Sequence, residues 1–192
     1  MTEGIEERTP LERALEKGNK QILECFLKAG VDPNMRDKND NTILYNSIKN
    51  KQSDIISVLL KYKANPNILN MNGDSALHLA TRLNDIKTCN LLLSHGALLT
   101  VKNVRNQLPI SIAIKENLED LVELFIKTAP EILDIKDQTG KLLVDSSSEG
   151  MKIYIKKINN WRRRAHMLYC KNYCPMFGKL PEGVFKSLVL FL

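Results

Sequence analysis

Three side chains with metal-binding or nucleophilic chemistry fall on one helical stripe near the end of the chain: His166, Cys170 and Cys174, at i, i+4 and i+8. One imidazole and two thiolates are donors that zinc favours. A closed zinc site takes four, and no fourth ligand stands nearby in sequence. The stripe therefore reads as structure, not as a metal site. Cys25 and Cys89 lie inside apolar stretches and read as small core residues. Four cysteines in 192 residues make no disulfide framework, so a reducing compartment is the simplest expectation. The chain has no Gly-rich phosphate loop, no Gly-x-Ser-x-Gly and no His-Glu-x-x-His. The other two histidines, His78 and His95, have structural or surface explanations. The sequence argues against an enzyme, and no cofactor or metal is expected.

Composition narrows the class further. With 43% hydrophobic and 26% charged residues, the chain is near the globular average, neither disordered nor collagen-like. Aromatic residues, at 6%, argue against a nucleotide-stacking sheet. No apolar run reaches the roughly 18 residues of a membrane span. Residues 1–7 lack the basic start and apolar stretch of a secretory signal. The expected location is the cytoplasm, with the nucleus as a further compartment and no membrane association. Charge is uneven: residues 151–192 hold nine Lys/Arg against the single acid Glu182, a net +8, whereas residues 1–150 carry −2. Such asymmetry suggests two parts with different partners.

The elements that would position any functional residue come from a repeat. Thr9-Pro10-Leu11, Thr42-Ile43-Leu44, Ser75-Ala76-Leu77 and Leu108-Pro109-Ile110 recur at steps of 33 residues. Small residues follow in register at Ala14, Ser47, Ala80 and Ala113, and each unit carries a second apolar stretch. The i, i+3, i+4 spacing predicts two short amphipathic helices per unit. Thr or Ser opens the first helix as a cap, and Gly30 and Gly96 close second helices where a left-handed residue is needed. One helix pair cannot bury its apolar face alone, whereas a stack can.

The period, the run Asp74-Ser75-Ala76-Leu77-His78-Leu79-Ala80 and the run Leu91-Leu92-Leu93-Ser94-His95-Gly96-Ala97 resemble ankyrin repeats. The resemblance implies an all-α solenoid of about five helix-pair repeats, near 9–36, 37–69, 70–102, 103–136 and 137–160. A lead-in over 1–8 precedes them, and a basic helical extension over 161–192 follows. Only the third unit carries the family's His78; Glu12, Tyr45, Ser111 and Asp145 replace it elsewhere. Lys63 stands for a glycine, and Ala129-Pro130 interrupts the fourth unit's loop.

The resemblance also implies a partner protein bound by hairpin tips and first-helix ends. Carried over by register, the tips offer Lys38, Asn39, Asn41, Met71, Asn72, Asp74, Arg105 and Gln107. The helix ends offer Lys49, Arg82, Leu83 and Lys115. Lys49, Arg82 and Lys115 share one repeat position and would form a column of three cations. Two readings stay open for it: a solvated face, or a dock for an acidic partner.

The tail allows more than one role. Residues 151–158 read as a second helix, running on toward Arg162-Arg163-Arg164. That basic run fits a solvated helix face, a nuclear-import signal or, with least support, nucleic-acid binding. Leu180-Pro181-Glu182 opens an apolar helical stripe over 180–192. The stripe is similar to the first helix of an F-box, and the combination resembles poxvirus-type ankyrin/F-box-like proteins. This implies that Leu180, Pro181, Val184, Phe185, Leu188, Val189 and Leu192 engage the adaptor subunit of a cullin-RING ubiquitin ligase. The alternatives are a tail that only caps the repeats, and a stand-alone ankyrin inhibitor or scaffold.

Overall fold

The computed structural model describes residues 15, 17–135 and 142–160. The chain divides into two compact units, Met1–Ile135 and Lys136–Leu192. The expectations for His166, Cys170, Cys174 and the stripe over 180–192 lie outside the described residues.

In the first unit the helices are α1 (Lys20–Lys28), α2 (Ile43–Lys49), α3 (Ser53–Lys61), α4 (Ala76–Arg82), α5 (Ile86–Ser94), α6 (Pro109–Lys115) and α7 (Glu119–Thr128). No strand occurs among the described residues; one isolated antiparallel bridge joins Arg36 and Thr42. Helices alternate between first (α2, α4, α6) and second (α1, α3, α5, α7) members of a pair. Each first helix packs on its own second helix, and α2 packs on α4 and α4 on α6, the first helices of successive repeats. The fully buried Ser47, Ala80 and Ala113 explain the small residue at that position: neighbouring first helices leave no room for a larger one. Leu59, Leu92 and Phe125 occupy one repeat position on the second helices, each wholly buried. Each contributes roughly 1.5–3 kcal/mol of burial free energy.

Caps set the helix starts. Thr42 Oγ1 accepts from the Tyr45 N–H at 3.1 Å, and Asp85 accepts from the Thr88 N–H at 3.0 Å. Leu108 holds the first-helix cap position of α6 without a capping oxygen. Ser111 supplies one instead, accepting from the Leu108 N–H at 2.9 Å and donating to the Leu108 carbonyl at 2.7 Å.

Backbone geometry repeats as strictly as the helices. Left-handed residues fall in three columns, each at steps of 33. Lys51, Asn84 and Asn117 link the two helices of a pair, and Gly18 stands at the equivalent position before α1; Gly30, Lys63 and Gly96 end second helices; Asp40, Gly73 and Asn106 turn the hairpin tips. Asn and Asp tolerate this region better than other non-glycine residues. Lys51 and Lys63 sit there at φ 55° and 63° and carry the strain of a β-carbon. The column ends at Ala129, extended at φ −143° because Pro130 follows it, and the chain turns into a 3-10 helix, Pro130–Asp134.

The second unit differs from expectation. Its first described helix is only a 3-10 turn, Leu143–Ser146. The run Asp145-Ser146-Ser147-Ser148 is poor in helix formers, and Ser147 Oγ donates to the Val144 carbonyl at 2.6 Å, competing with helical bonding. Residues 149–160 are then helical, opened by Ser148, whose Oγ accepts from the Met151 N–H at 3.3 Å. Met151, Ile155 and Ile158 form its buried stripe, and Ile153 is exposed.

Two substitutions test the left-handed columns. Lys63→Gly should raise the unfolding free energy by about 1 kcal/mol in urea, because it removes the β-carbon strain. Gly73→Ala should lower it by about 3 kcal/mol: φ is +67°, and the new β-carbon would lie 2.7 Å from the Val104 backbone nitrogen.

Candidate functional site

The hairpin tips are built by one side chain per repeat. Asp37, Asn70 and Asn103 occupy equivalent positions. Each accepts from two N–H groups within its own tip: Asn39 and Asn41, Asn72 and Asp74, Arg105 and Gln107. This Asx arrangement satisfies backbone donors that a solvent-exposed turn would leave open. The amide nitrogens of Asn70 and Asn103 then reach back one repeat. Asn70 Nδ2 donates to Asn41 Oδ1 at 3.0 Å, and Asn103 Nδ2 donates to Asp74 Oδ1 at 2.9 Å. A second kind of amide bridge joins neighbouring repeats through the loops: Asn34 Oδ1 accepts from the Asn65 N–H between the first and second, and Asn67 Oδ1 from the Leu98 N–H between the second and third.

Asp74 is the one charged acceptor among these bridges between repeats and is 5% exposed. Arg82, at the end of α4, donates Nη1 to Asp74 Oδ2 at 2.7 Å and Nη2 to Oδ1 at 2.9 Å. Burial works to raise the Asp74 pKa, but the bonds from Arg82 and Asn103 outweigh it and hold the carboxyl below its ordinary value. The bond to Asp74 raises the Arg82 pKa in turn. Tyr45, half-buried nearby, is raised by burial and by the Asp74 charge.

His78 ties the same seam. Its Nδ1 accepts from the Ser75 N–H at 3.2 Å, so the proton sits on Nε2, which donates to the Gln107 carbonyl of the next repeat at 3.0 Å. Burial lowers its pKa, against the raising effects of the Gln107 carbonyl and Asp74. Ser111, its counterpart in the fourth repeat, bonds only within its own helix start.

This geometry redistributes the residues expected to bind a partner. Asp74 is buried and Asn41 and Gln107 are half-buried, all three committed to tip or seam bonds. Arg82 is not a free cation of the column, because Asp74 neutralises it. The positions equivalent to Asp74 are the neutral Asn41 and Gln107, and among the described residues neither Lys49 nor Lys115 makes an ion pair with a carboxylate. Lys38, Asn39, Asn72 and Arg105 are exposed at the tips, as are Met71 at 63% and Val104 at 72%. Leu83 is 37% exposed. The sequence reading missed the bridging roles of Asn34, Asn67, Asn70 and Asn103, although their 33-residue recurrence was visible.

Of the cysteines in the described residues, Cys89 is buried, its thiol pushed up to about 12 by desolvation, and so unreactive at neutral pH. Among the described residues no cluster of three or more His, Cys, Asp or Glu is placed to hold a metal ion. None of their helices is long and apolar enough to cross a membrane.

Two predictions follow from the seam. His78 has a depressed folded pKa, so the unfolded chain binds more protons as pH falls below about 6.5. The stability that neutral His78 provides is complete above that value and is lost toward the lower folded value, by at most about 1.4 kcal/mol per pH unit. Thermal melts should therefore show the wild type losing stability between pH 7.5 and 5.5. His78→Gln, already weaker at pH 7.5, should show a smaller drop; an equal drop would place the acid sensitivity elsewhere. Asp74→Ala should cost about 2–3 kcal/mol in urea, since it orphans Arg82 and the Asn103 amide. Asp74→Asn, which reproduces the Asn41 arrangement, should cost less than half of that.

A family model described as "Ankyrin repeats (3 copies)" matches residues 11–103. Comparison with curated proteins gave no match. The match covers the tips, seams and helix pairs just described through Asn103, and α6 and α7 continue their register. Over residues 11–103 the chain is similar to ankyrin repeats.

Proposed function

We propose that this chain works by binding a partner protein on the face formed by its hairpin tips and first-helix ends. Ankyrin repeats are protein-interaction modules, and that coarser role follows from the match over 11–103. The observation carrying the finer reading is the exposure of apolar residues at this face. Met71 and Val104 stand at one tip position in successive repeats, and Leu83 stands at a helix end. Large apolar side chains at successive positions of a repeat suit a partner surface better than scattered single hydrophobes do.

A second reading concerns the tail. The Leu180-Pro181-Glu182 start and the apolar stripe of Val184, Phe185, Leu188, Val189 and Leu192 support a role as substrate adaptor, with the repeats holding a target and the stripe engaging a cullin-RING adaptor subunit. The competing view is an inhibitor or scaffold that masks its partner, the tail serving only as a cap.

Affinity capture from cell lysate separates these. The full chain should retain a partner that the Met71→Asp/Leu83→Asp double variant loses, with both melting within a few degrees of each other. Retention of the same partners by both would refute the face. A chain ending at Met176 should lose ligase subunits and keep the target if the adaptor reading holds. Unchanged partners and no ligase subunit in either capture would leave the inhibitor or scaffold reading.

A further inference from the structure

Asn72 is the only asparagine in the sequence that a glycine follows. The pair lies in the third repeat's hairpin tip. Gly73 stands at φ +67°, and a β-carbon there would lie 2.7 Å from the Val104 backbone nitrogen. The equivalent tip residues Asp40 and Asn106 are left-handed and carry side chains. At the third tip the close approach of the next repeat excludes one.

That packing demand has a chemical consequence. An asparagine loses its amide when the backbone nitrogen of the following residue attacks its side-chain carbonyl carbon. A β-carbon on that following residue obstructs the attack, and glycine has none. In the second repeat's tip the matching Asn39 precedes Asp40, whose side chain stands in the way. The Asn72 side chain is exposed and makes no hydrogen bond among the described residues, so no bond holds its carboxamide away from the Gly73 nitrogen.

The tip backbone opposes the reaction. The Gly73 N–H donates to the Asn70 carbonyl at 2.8 Å, and the Asn72 carbonyl accepts from the Val104 N–H at 3.2 Å. The first bond holds the proton that the attacking nitrogen must give up. Both resist the backbone rotation at Asn72 that brings nitrogen to side-chain carbon. The second crosses to the fourth repeat, so the reaction waits on local opening of that seam.

We infer that Asn72 is a deamidation site gated by the contact between the third and fourth hairpin tips. In the opened tip the Gly73 nitrogen bonds to Asn72 Cγ, its proton passing through solvent to the leaving nitrogen. The Cγ–Nδ2 bond breaks, ammonia departs, and a five-membered succinimide remains. Water then adds to one ring carbonyl and the ring opens. Cleavage of the new Cγ–N bond gives aspartate; cleavage of the original peptide bond gives isoaspartate. Water is the co-reactant, and nothing is oxidised or reduced. In isoaspartate the main chain runs through the side-chain methylene. The carbonyl that took the Val104 N–H becomes a free carboxylate beside the chain, and the tip cannot close as before.

The test warms the full chain in neutral heavy-oxygen water, below its melting temperature, beside a synthetic peptide of residues 68–77 as the ungated reference. Peptide mapping by mass spectrometry reads the labelled acid formed at each asparagine. Asn72 should convert before every other asparagine, at least about tenfold more slowly than in the peptide. Two variants loosen the seam. Asn103→Ala removes the amide bridge to Asp74. Val104→Pro removes the donor to the Asn72 carbonyl, at the second residue of a turn closed by the Asn106 N–H on the Asn103 carbonyl, a position that suits proline. Each should speed conversion about threefold or more while still melting cooperatively, and Asn72→Gln should abolish the product. The isolated isoaspartate form should unfold at lower urea than an equally aged Asn72→Gln chain. Conversion at the peptide's rate, earlier conversion of another asparagine, no acceleration in Val104→Pro, or equal urea midpoints would each overturn the inference.

Discussion

The Asp74 carboxylate, buried where the third and fourth repeats meet, is the constraint around which stacking and surface charge are both organised. One oxygen takes the Asn103 amide from the next repeat, and the pair of oxygens takes the Arg82 fork. A buried carboxylate is costly unless fully bonded. Here the bonds that compensate it also fix the repeat register and remove a charge from the exposed face. The equivalent seam between the second and third repeats does the mechanical part with a neutral residue, Asn41 accepting from Asn70. What the charged version adds is a change in what the surface presents.

The same seam carries His78, and its chemistry explains why the imidazole must stay neutral. A proton on Nδ1 would face the Ser75 N–H that this nitrogen now accepts. Tip amides, helix-start imidazole and buried carboxylate thus hold the third and fourth repeats together more elaborately than the tip amide that joins the second and third. Where such groups are missing the array changes character. Ala129 and Pro130 replace the left-handed turn that Gly30, Lys63 and Gly96 make, and the first described helix of the second unit is a 3-10 turn, not an α-helix.

Much of the fold was legible from spacing. Thr42, Ser75 and Gly96 mark boundaries by elementary preferences, and the small residues at 47, 80 and 113 announce close packing of first helices. Legibility failed where a residue type has several physical uses. Leu108 reads as a poor cap until Ser111 is seen to do the job three residues on. Lys63 gives no sign of its left-handed backbone except by alignment with Gly30 and Gly96. The candidate face was legible only in part. Exposed Met71, Leu83, Lys49 and Lys115 follow from register, but Asp74 and Arg82 look like two surface charges in sequence. Their eight-residue separation hides a contact that only the fold of tip onto helix end creates.

The neutralisation of Arg82 by Asp74 carries both the stacking and the charge pattern, so its strength is the quantity to measure. A double-mutant cycle in urea, with Asp74→Ala, Arg82→Ala and the pair, isolates it. Because the Arg82 side chain is 35% exposed, the coupling should be about 1–2 kcal/mol, below that of a wholly buried pair. A coupling indistinguishable from zero would mean that Arg82 is a free surface cation, and Asp74 would not neutralise it.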